Sequence, residues 1–358
     1  MTMLEAREMI LIVTVANDLH ALSVRDALRS AGVRDCHIIE CDRIAQRDVM
    51  SYGLNYSIED RIVSSDGEAI SVSDGEVLWL RTLASDQEIS TEMPDESAVT
   101  VIENDCRGAL VGYLSTHFHG KWISSFEATY AASDKIAQLK AAHESGFRIP
   151  RTLVTQSKRD VEAFFAACDG QVIVKTVVGA PGPLLRTAKV EHPGRFDPES
   201  YMAAPTLFQE YIAGTRHLRL NCFWPNSYAA LIDSEDIDWR PNLNVPITSC
   251  LVEESLHRRV RAVLDRLNLE MGIVDLKLTP EGEPVWLEVN PQGQFLFLDG
   301  LTDLRLVDRF AAYLAEERRA LACAHARADG RRSTVEPRHA PVDADTRVER
   351  IPNRMAGR

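Results

Sequence analysis

Apolar and polar residues change rhythm along this chain, and each change marks an element. Residues 9–15 (MILIVTV) form an unbroken apolar run, as expected of a strand covered on both faces. Asn17 or Asp18 can cap the helix that continues toward Gly32, and HIIEC then supplies a second strand, so the chain opens as β-α-β. Between Tyr52 and Arg81 the pattern alternates and carries two turn signals, Asp66-Gly67 and Asp74-Gly75, which predict short antiparallel strands. A helical period follows from Asp95 to about Phe118. No Gly-rich phosphate fingerprint follows the first strand, so this domain suits binding and assembly rather than a dinucleotide site.

At Trp122 a second passage begins. Ser133 or Asp134 can cap a helix containing Lys135, Leu139 and Ala142; Gly146 ends it and Pro150 starts an extended strand. Helix and strand alternate through QVIVKTVVG, giving a compact α+β module. A further module runs from LFQEYIAG near Leu207 through LRLNCFW, YAALID and a helix from about Glu253 to Leu267. It closes with GIVDLKL, PVWLEVN and a helix from about Leu306 to Ala320. The remainder has almost no aromatic residue, no apolar period and many Arg, Pro and Asp, which predicts a disordered tail. The expected division is 1–120, 121–205, 206–320 and a tail at 321–358, with no internal repeat.

A chain of 358 residues is too long for one small core, and 45% hydrophobic with 26% charged residues predicts a packed fold. The net charge of -13 argues against nonspecific nucleic-acid binding and leaves small molecules or a peptide as partners. Seven scattered cysteines, none spaced as CxxC, fit reduced thiols in a cytoplasm and supply no zinc or disulfide framework. The start carries an acidic flank and a short apolar run, which reads as a first strand and not a signal peptide. No apolar stretch has the length to cross a bilayer. The expectation is a soluble, cytoplasmic protein.

Polar residues inside apolar strands are costly unless partnered. In PVWLEVN, Glu288 and Asn290 lie two apart and point to one side. Asp275 sits on the preceding strand, and a hairpin through Pro280-Glu281-Gly282 would bring the three oxygen-bearing side chains together. Such a set suits a hard cation that keeps part of its shell for phosphate oxygens, as magnesium does. The plainer alternative pairs Glu288 with Lys277 or an arginine and lets Asn290-Pro291 end a strand. Lys175, inside VIVKTVVG, needs an anion, and Lys135 opens the preceding helix. Both suit nucleotide phosphates, although Lys135 alone also fits an exposed helix position. The GAPGP run after Lys175 fits either a lid or a plain turn. In TLFQEYIAG, Gln209 and Glu210 stand where a strand leading into a linker can offer backbone groups and a carboxylate to an adenine edge; an exposed hinge glutamate is the plainer reading. His117 and His119 read as loop histidines, because no carboxylate or cysteine is spaced to complete a metal site.

Together these features resemble the ATP-grasp superfamily from about Trp122 to Leu314: a lysine on a helix, a lysine on a strand near a glycine-bearing lid, the Gln-Glu-Tyr-Ile hinge, an arginine strand, then Asp and Glu-x-Asn on consecutive strands. VLWLRT, KIAQLKAA, GFRIPRTLVT, DIDWR and LEVNPQGQFLFLD look most like the microviridin-type, or graspetide, ATP-grasp peptide maturases. The resemblance implies α/β and α+β architecture: an ATP-grasp fold with an N-terminal pre-ATP-grasp α/β domain, and ATP held between two α+β modules. It implies that Lys135 and Lys175 hold ATP phosphates, and that Gln209, Glu210, Tyr211 and the backbone of Ile212 face adenine. Asp275, Glu288 and Asn290 would bind Mg2+, while Arg219 and Arg240 would neutralise the transferring phosphoryl group or an acyl phosphate. Arg81 and Asp238 join Arg240 as candidates near a core peptide, with a strand-end salt bridge as the competing role for Arg81. Relatives commonly carry an acidic residue two before the arginine of this strand; here that place is His217, which leaves the ribose contact open.

The implied reaction is ATP-dependent ligation in which Asp or Glu side chains of a ribosomal precursor peptide become acyl phosphates. Thr or Ser hydroxyls, or Lys amines, would then displace phosphate to form lactones or lactams, with the leader docked at the central module. No Ser-His or Cys-His arrangement is needed for this chemistry. A RimK-like ligase joining an amino acid to a small acid or protein terminus would use the same ATP residues. An ATP-binding regulator without turnover is a third reading, which intact Asp275, Glu288, Asn290 and two arginines disfavour. Relatives commonly dimerise, and no feature of this sequence decides whether this chain does.

Overall fold

The structure is a computed structural model and describes residues 9–46, 49–84, 86–89, 95–177, 187–192, 194 and 204–328. Contacts divide the chain into two compact units. Of the described residues, the first holds those up to Phe126, Gln294–Asp299 and those from Arg305 to Ala328; the second holds those of Glu127–Gly293 and Gly300–Leu304.

In the first unit, β1 (Met9–Thr14), α1 (Leu19–Ser30) and β2 (Cys36–Glu40) form the expected β-α-β opening, with the strands parallel. Asp18 is the helix cap and accepts the N–H of His20, while Asn17 takes the left-handed turn position with φ 59°. β3 (Met50–Ser51), β4 (Arg61–Val63) and β5 (Ala69–Ile70) form a small antiparallel sheet, with Asp66-Gly67 between the last two. β6 (Gly75–Leu80) departs from expectation, because it pairs parallel with β1. All six of its residues are buried, and a strand covered on both faces belongs inside a parallel sheet rather than in a half-exposed hairpin. After α2 (Glu96–His117), β7 (Lys121–Ile123) closes this sheet in the order β2-β1-β6-β7. His117 thus lies in the last turn of a helix and not in a loop; its Nδ1 is 2.7 Å from Thr116 Oγ1.

α3 (Phe126–Ala131) leads into the second unit. There α4 (Lys135–Glu144) is capped by Asp134, whose side chain accepts the N–H groups of Ile136 and Ala137. β8 (Thr152–Thr155), α5 (Lys158–Ala167), β9 (Val172–Lys175), β10 (Ala188–Lys189) and β11 (Thr206–Glu210) follow, and the strands pair antiparallel in the order β10-β9-β11-β8. β12 (Arg216–Phe223), β13 (Asn226–Asp233), β14 (Ile247–Cys250), α6 (Glu254–Arg266), β15 (Met271–Leu278) and β16 (Pro284–Asn290) complete it, with sheet order β14-β13-β12-β15-β16. Leu218, Leu220, Leu276 and Trp286 pack with Leu139 and Ala142 of α4 and with Val260, Val263 and Leu264 of α6. Gly214 joins β11 to β12 at φ 116°, where a Cβ would stand 2.6 Å from the Leu278 carbonyl oxygen, so only glycine fits.

α7 (Leu296–Asp299) and α8 (Leu306–Ala328) return to the first unit, and Asp299 accepts the N–H groups of Leu306 and Val307 at the start of α8. α8 runs past the expected end at Ala320, because residues 321–328 (LACAHARA) are rich in Ala with Leu and Arg, all strong helix formers. The rest of the expected tail, and the GAPGP run, lie outside the described residues. Among the described residues no helix is long and apolar enough to cross a membrane.

Candidate functional site

Alternation on β12 and β15 sends Leu218, Leu220, Val274 and Leu276 into the core, so His217, Arg219, Asp275 and Lys277 point to the opposite face. On β16 a bulge opposite the Asp275/Leu276 step breaks the alternation. Trp286 and Val289 both enter the core, which leaves the consecutive Leu287 and Glu288 on the face that carries Asp275. His217, Asp275, Lys277, Leu287 and Glu288 line a pocket together with Ile173 and Lys175 of β9, residues 209–212 at the end of β11 and just beyond it, and residues 237–240 between β13 and β14.

Asp275 and Glu288 stand directly opposite each other across the β15-β16 pair. Arg219, opposite Asp275 on the other side, donates through Nη1 to both of its oxygens at 2.8 and 2.7 Å. Burial raises the Asp275 carboxyl above its ordinary value, Arg219 opposes this, and the charge of Glu288 adds to the rise. A hard cation beside this pair would relieve both the burial and the repulsion, and carboxylate oxygens are the donors that Mg2+ prefers. Asn290 does not join them. It is exposed at the end of β16, and its Oδ1 accepts the N–H of Gln292 at 3.0 Å, so the expected trio is a pair with its amide turned into the following loop. Among the described residues no three His, Cys, Asp or Glu side chains form a metal cage.

Cations surround the pair. Burial lowers the Lys175 pKa, Glu288 works against that, and the charges of Lys135 and Arg240 lower it further. Lys135 reaches the strand end beyond Lys175, where its Nζ donates to the carbonyls of Thr176 and Val177 at 3.1 and 3.4 Å. Arg240 forks onto Asp238, with Nε and Nη2 each 2.7 Å from a carboxylate oxygen, while its Nη1 lies 3.8 Å from Glu288. Burial would raise the Asp238 carboxyl, but the hydrogen bonds and charge of Arg240 prevail and hold it below its ordinary value. The ion-pair partner of Glu288 is therefore Arg240 and not Lys277.

At the other end of the pocket, Gln209 is buried and donates through Nε2 to Thr152 Oγ1 at 3.0 Å. The Glu210 carboxylate lies 3.4 Å from both Arg148 and Arg151 and accepts the Arg151 N–H, so the acid expected to face a base is engaged by arginines. The Tyr211 N–H donates to the Gln171 carbonyl, the Lys189 ammonium sits 5.0 Å from the Tyr211 ring centre, and Ile212 is buried. Arg81 belongs to the first unit, where it is buried with Nε 3.5 Å from Asp18; the strand-end ion pair is the role its geometry fills.

Sequence reasoning missed one pair in the pocket. Lys277 Nζ is 2.7 Å from His217 Nε2, and both residues are buried. Burial and the positive charge of Lys277 push His217 down to about 3, and burial lowers Lys277 to about 8 against the pull of Asp233. Strand parity was the available signal, since Lys277 lies two residues from Asp275 and must share its face.

No protein-family model and no curated protein matches the chain. Solved structures do. Macrocyclase MdnC from Microcystis aeruginosa, bound with precursor peptide MdnA, matches 86% of this chain and 99% of its own at 20% identity, with a TM-score of 0.74. A Chryseobacterium gregarium RiPP-associated ATP-grasp ligase, in complex with ADP and a leader and core peptide, matches 87% of this chain and 97% of its own at 22% identity and TM-score 0.74. The ATP-grasp ligase PsnB, complexed with a phosphomimetic variant of a minimal precursor, Mg and ADP, matches 87% and 99% at 21% identity and TM-score 0.71. The chain has the mixed α/β fold of these ATP-grasp ligases.

Proposed function

We propose that this chain, built on the fold of ATP-grasp ligases, uses ATP to activate Asp or Glu side chains of a ribosomal precursor peptide and joins them to hydroxyls or amines of the same peptide. One observation carries the reading: the facing Asp275 and Glu288 share a pocket with Lys175 and Arg240, and residues 209–212 form its other end. The precursor peptides, ADP and Mg bound by the similar structures support it.

Residues 209–212 would receive the adenine, with the Ile212 backbone and the apolar Ile173 side chain flanking it. Lys175 is partly buried in the pocket, where burial disfavours its charge, and phosphate oxygens would supply the anion that restores it. Mg2+ held by Asp275 and Glu288 would neutralise phosphate oxygens as charge moves. A peptide carboxylate oxygen attacks the γ-phosphorus, the bond to ADP breaks, and an acyl phosphate results. A hydroxyl or amine then attacks the acyl carbon and phosphate leaves, so each ring costs the peptide one water. Asp238 holds the Nε-Nη2 fork of Arg240 and so fixes Nη1 beside Glu288, where it would meet phosphoryl or acyl-phosphate oxygens, while Arg219 holds Asp275. Positioning and charge neutralisation suffice, and no protein nucleophile takes part.

The test is mass spectrometry of the precursor peptide encoded beside the gene after incubation with the full chain, ATP and Mg2+. Loss of one water per ring with ADP formation supports the proposal, and base lability separates ester from amide. An unchanged peptide mass, with ADP formed on free amino acids, would move the assignment to the RimK-like reaction.

A further inference from the structure

A buried ammonium needs acceptors for three N–H groups. Lys277 is only 4% exposed, and its hydrogen-bond partner among the described residues is His217 Nε2 at 2.7 Å. Because an ammonium cannot accept, the Nε2 lone pair belongs to this bond and the ring proton sits on Nδ1. The pair therefore offers donors to the pocket and no acceptor, and two of the Lys277 N–H groups remain to be satisfied.

Position narrows what satisfies them. Along β15, Lys277 stands two residues from Asp275, roughly 6–7 Å. The next residue, Leu278, brings its carbonyl against Gly214, just beyond the 209–212 segment. Lys277 thus lies between the carboxylate pair and the hinge, where a nucleotide spanning the two places its sugar and first phosphate. We propose that Lys277, held by His217, is a specificity-determining residue of the nucleotide site and donates to an acceptor oxygen of the sugar-phosphate portion. This rests on the ATP reading above.

Calorimetric titration of the full chain with ATP and Mg2+, compared with Lys277→Met, tests it, using 2′-deoxyATP and 3′-deoxyATP as probes. Lys277→Met should weaken ATP binding about tenfold or more while keeping a cooperative melt. If the loss shrinks for one deoxy analogue, the acceptor is that hydroxyl; if it is equal for all three nucleotides, the acceptor is a phosphate oxygen. Affinity for ATP within about twofold of native would overturn the proposal. His217→Leu and His217→Gln give an independent check should Lys277→Met fail to fold. Gln keeps an acceptor for the ammonium and should retain most of the affinity that Leu loses, whereas equal behaviour of the two would overturn the role of His217. A native chain that binds no ATP at all would instead remove the preceding reading.

Discussion

The side-chain amide of Gln138 holds the backbone of Val289 at both polar groups: Nε2 donates to the carbonyl at 2.8 Å and Oε1 accepts the N–H at 2.9 Å. Val289 lies on β16 between Glu288 and Asn290, and Gln138 lies one turn from Lys135 on α4. β16 is an edge strand, and a further outward group, the Trp286 N–H, is met by the Arg148 carbonyl at 2.9 Å. The amide thus replaces one residue of a missing neighbour strand and ties the helix bearing Lys135 to the strand bearing Glu288.

Gln138→Leu should leave both Val289 groups buried without partners, at a cost of roughly 2–5 kcal/mol. Urea denaturation would register this as a lower midpoint with an unchanged slope. The Mg2+ concentration giving half-maximal ADP formation should rise as well, because Glu288 loses its anchor. A midpoint equal to native would remove the argument.

Replacing Glu288 by Gln keeps its volume and removes one charge of the facing pair. ADP formation should fall on the order of a hundredfold or more, consistent with several kcal/mol of lost charge neutralisation. The thermal melt should stay close to native, because Glu288 is only partly buried and its nearest ion-pair contact is 3.8 Å long. Near-normal turnover at saturating Mg2+ would refute the assignment.

Arg219 and Asp275 satisfy each other inside the sheet, so removing one strands the other. Arg219→Met should destabilise by about 3–5 kcal/mol, and adding Asp275→Leu should recover part of that loss. Chemical denaturation of the two single variants and the double variant measures the coupling. Simple additivity would mean that the pair contributes nothing beyond packing.

Much of this architecture was legible in apolar periodicity: the β-α-β opening, the capped helix at Asp134 and the hairpin carrying Asp275 and Glu288. Two features were not legible, for one shared cause. The parallel placement of β6 and the turning away of Asn290 both depend on partners distant in sequence or on backbone irregularity, neither of which leaves a periodic trace. The His217-Lys277 bond joins residues 60 positions apart, so residue type on each strand was readable but not their contact.

In the first unit, His20 Nε2 accepts the N–H groups of both Phe295 and Leu296 at 3.1 Å. Burial lowers its pKa to about 4 from 6.5, with Arg81 adding to the fall and Asp18 opposing it. Above pH 6.5 neither the folded nor the unfolded state binds the proton. Between 6.5 and about 4 the unfolded state binds it and the folded state does not, so stability falls as pH falls, by about 3 kcal/mol in all. His20→Gln keeps an acceptor without a titrating group. Melting temperatures across that interval should decline less steeply in the variant, and parallel declines would exclude His20 as the source.

The last long helix also sets the order in which the chain can finish folding. Trp79 meets Phe310 at 4.7 Å between ring centres, and Lys121 pairs with Glu317 at 3.0 Å. The sheet synthesised first therefore waits for α8, and translation of the intervening chain takes on the order of ten to fifty seconds. Residues 127–293 are nearly continuous in sequence and can close on themselves sooner. Until α8 is made, the first unit lacks the side chain that packs against Trp79.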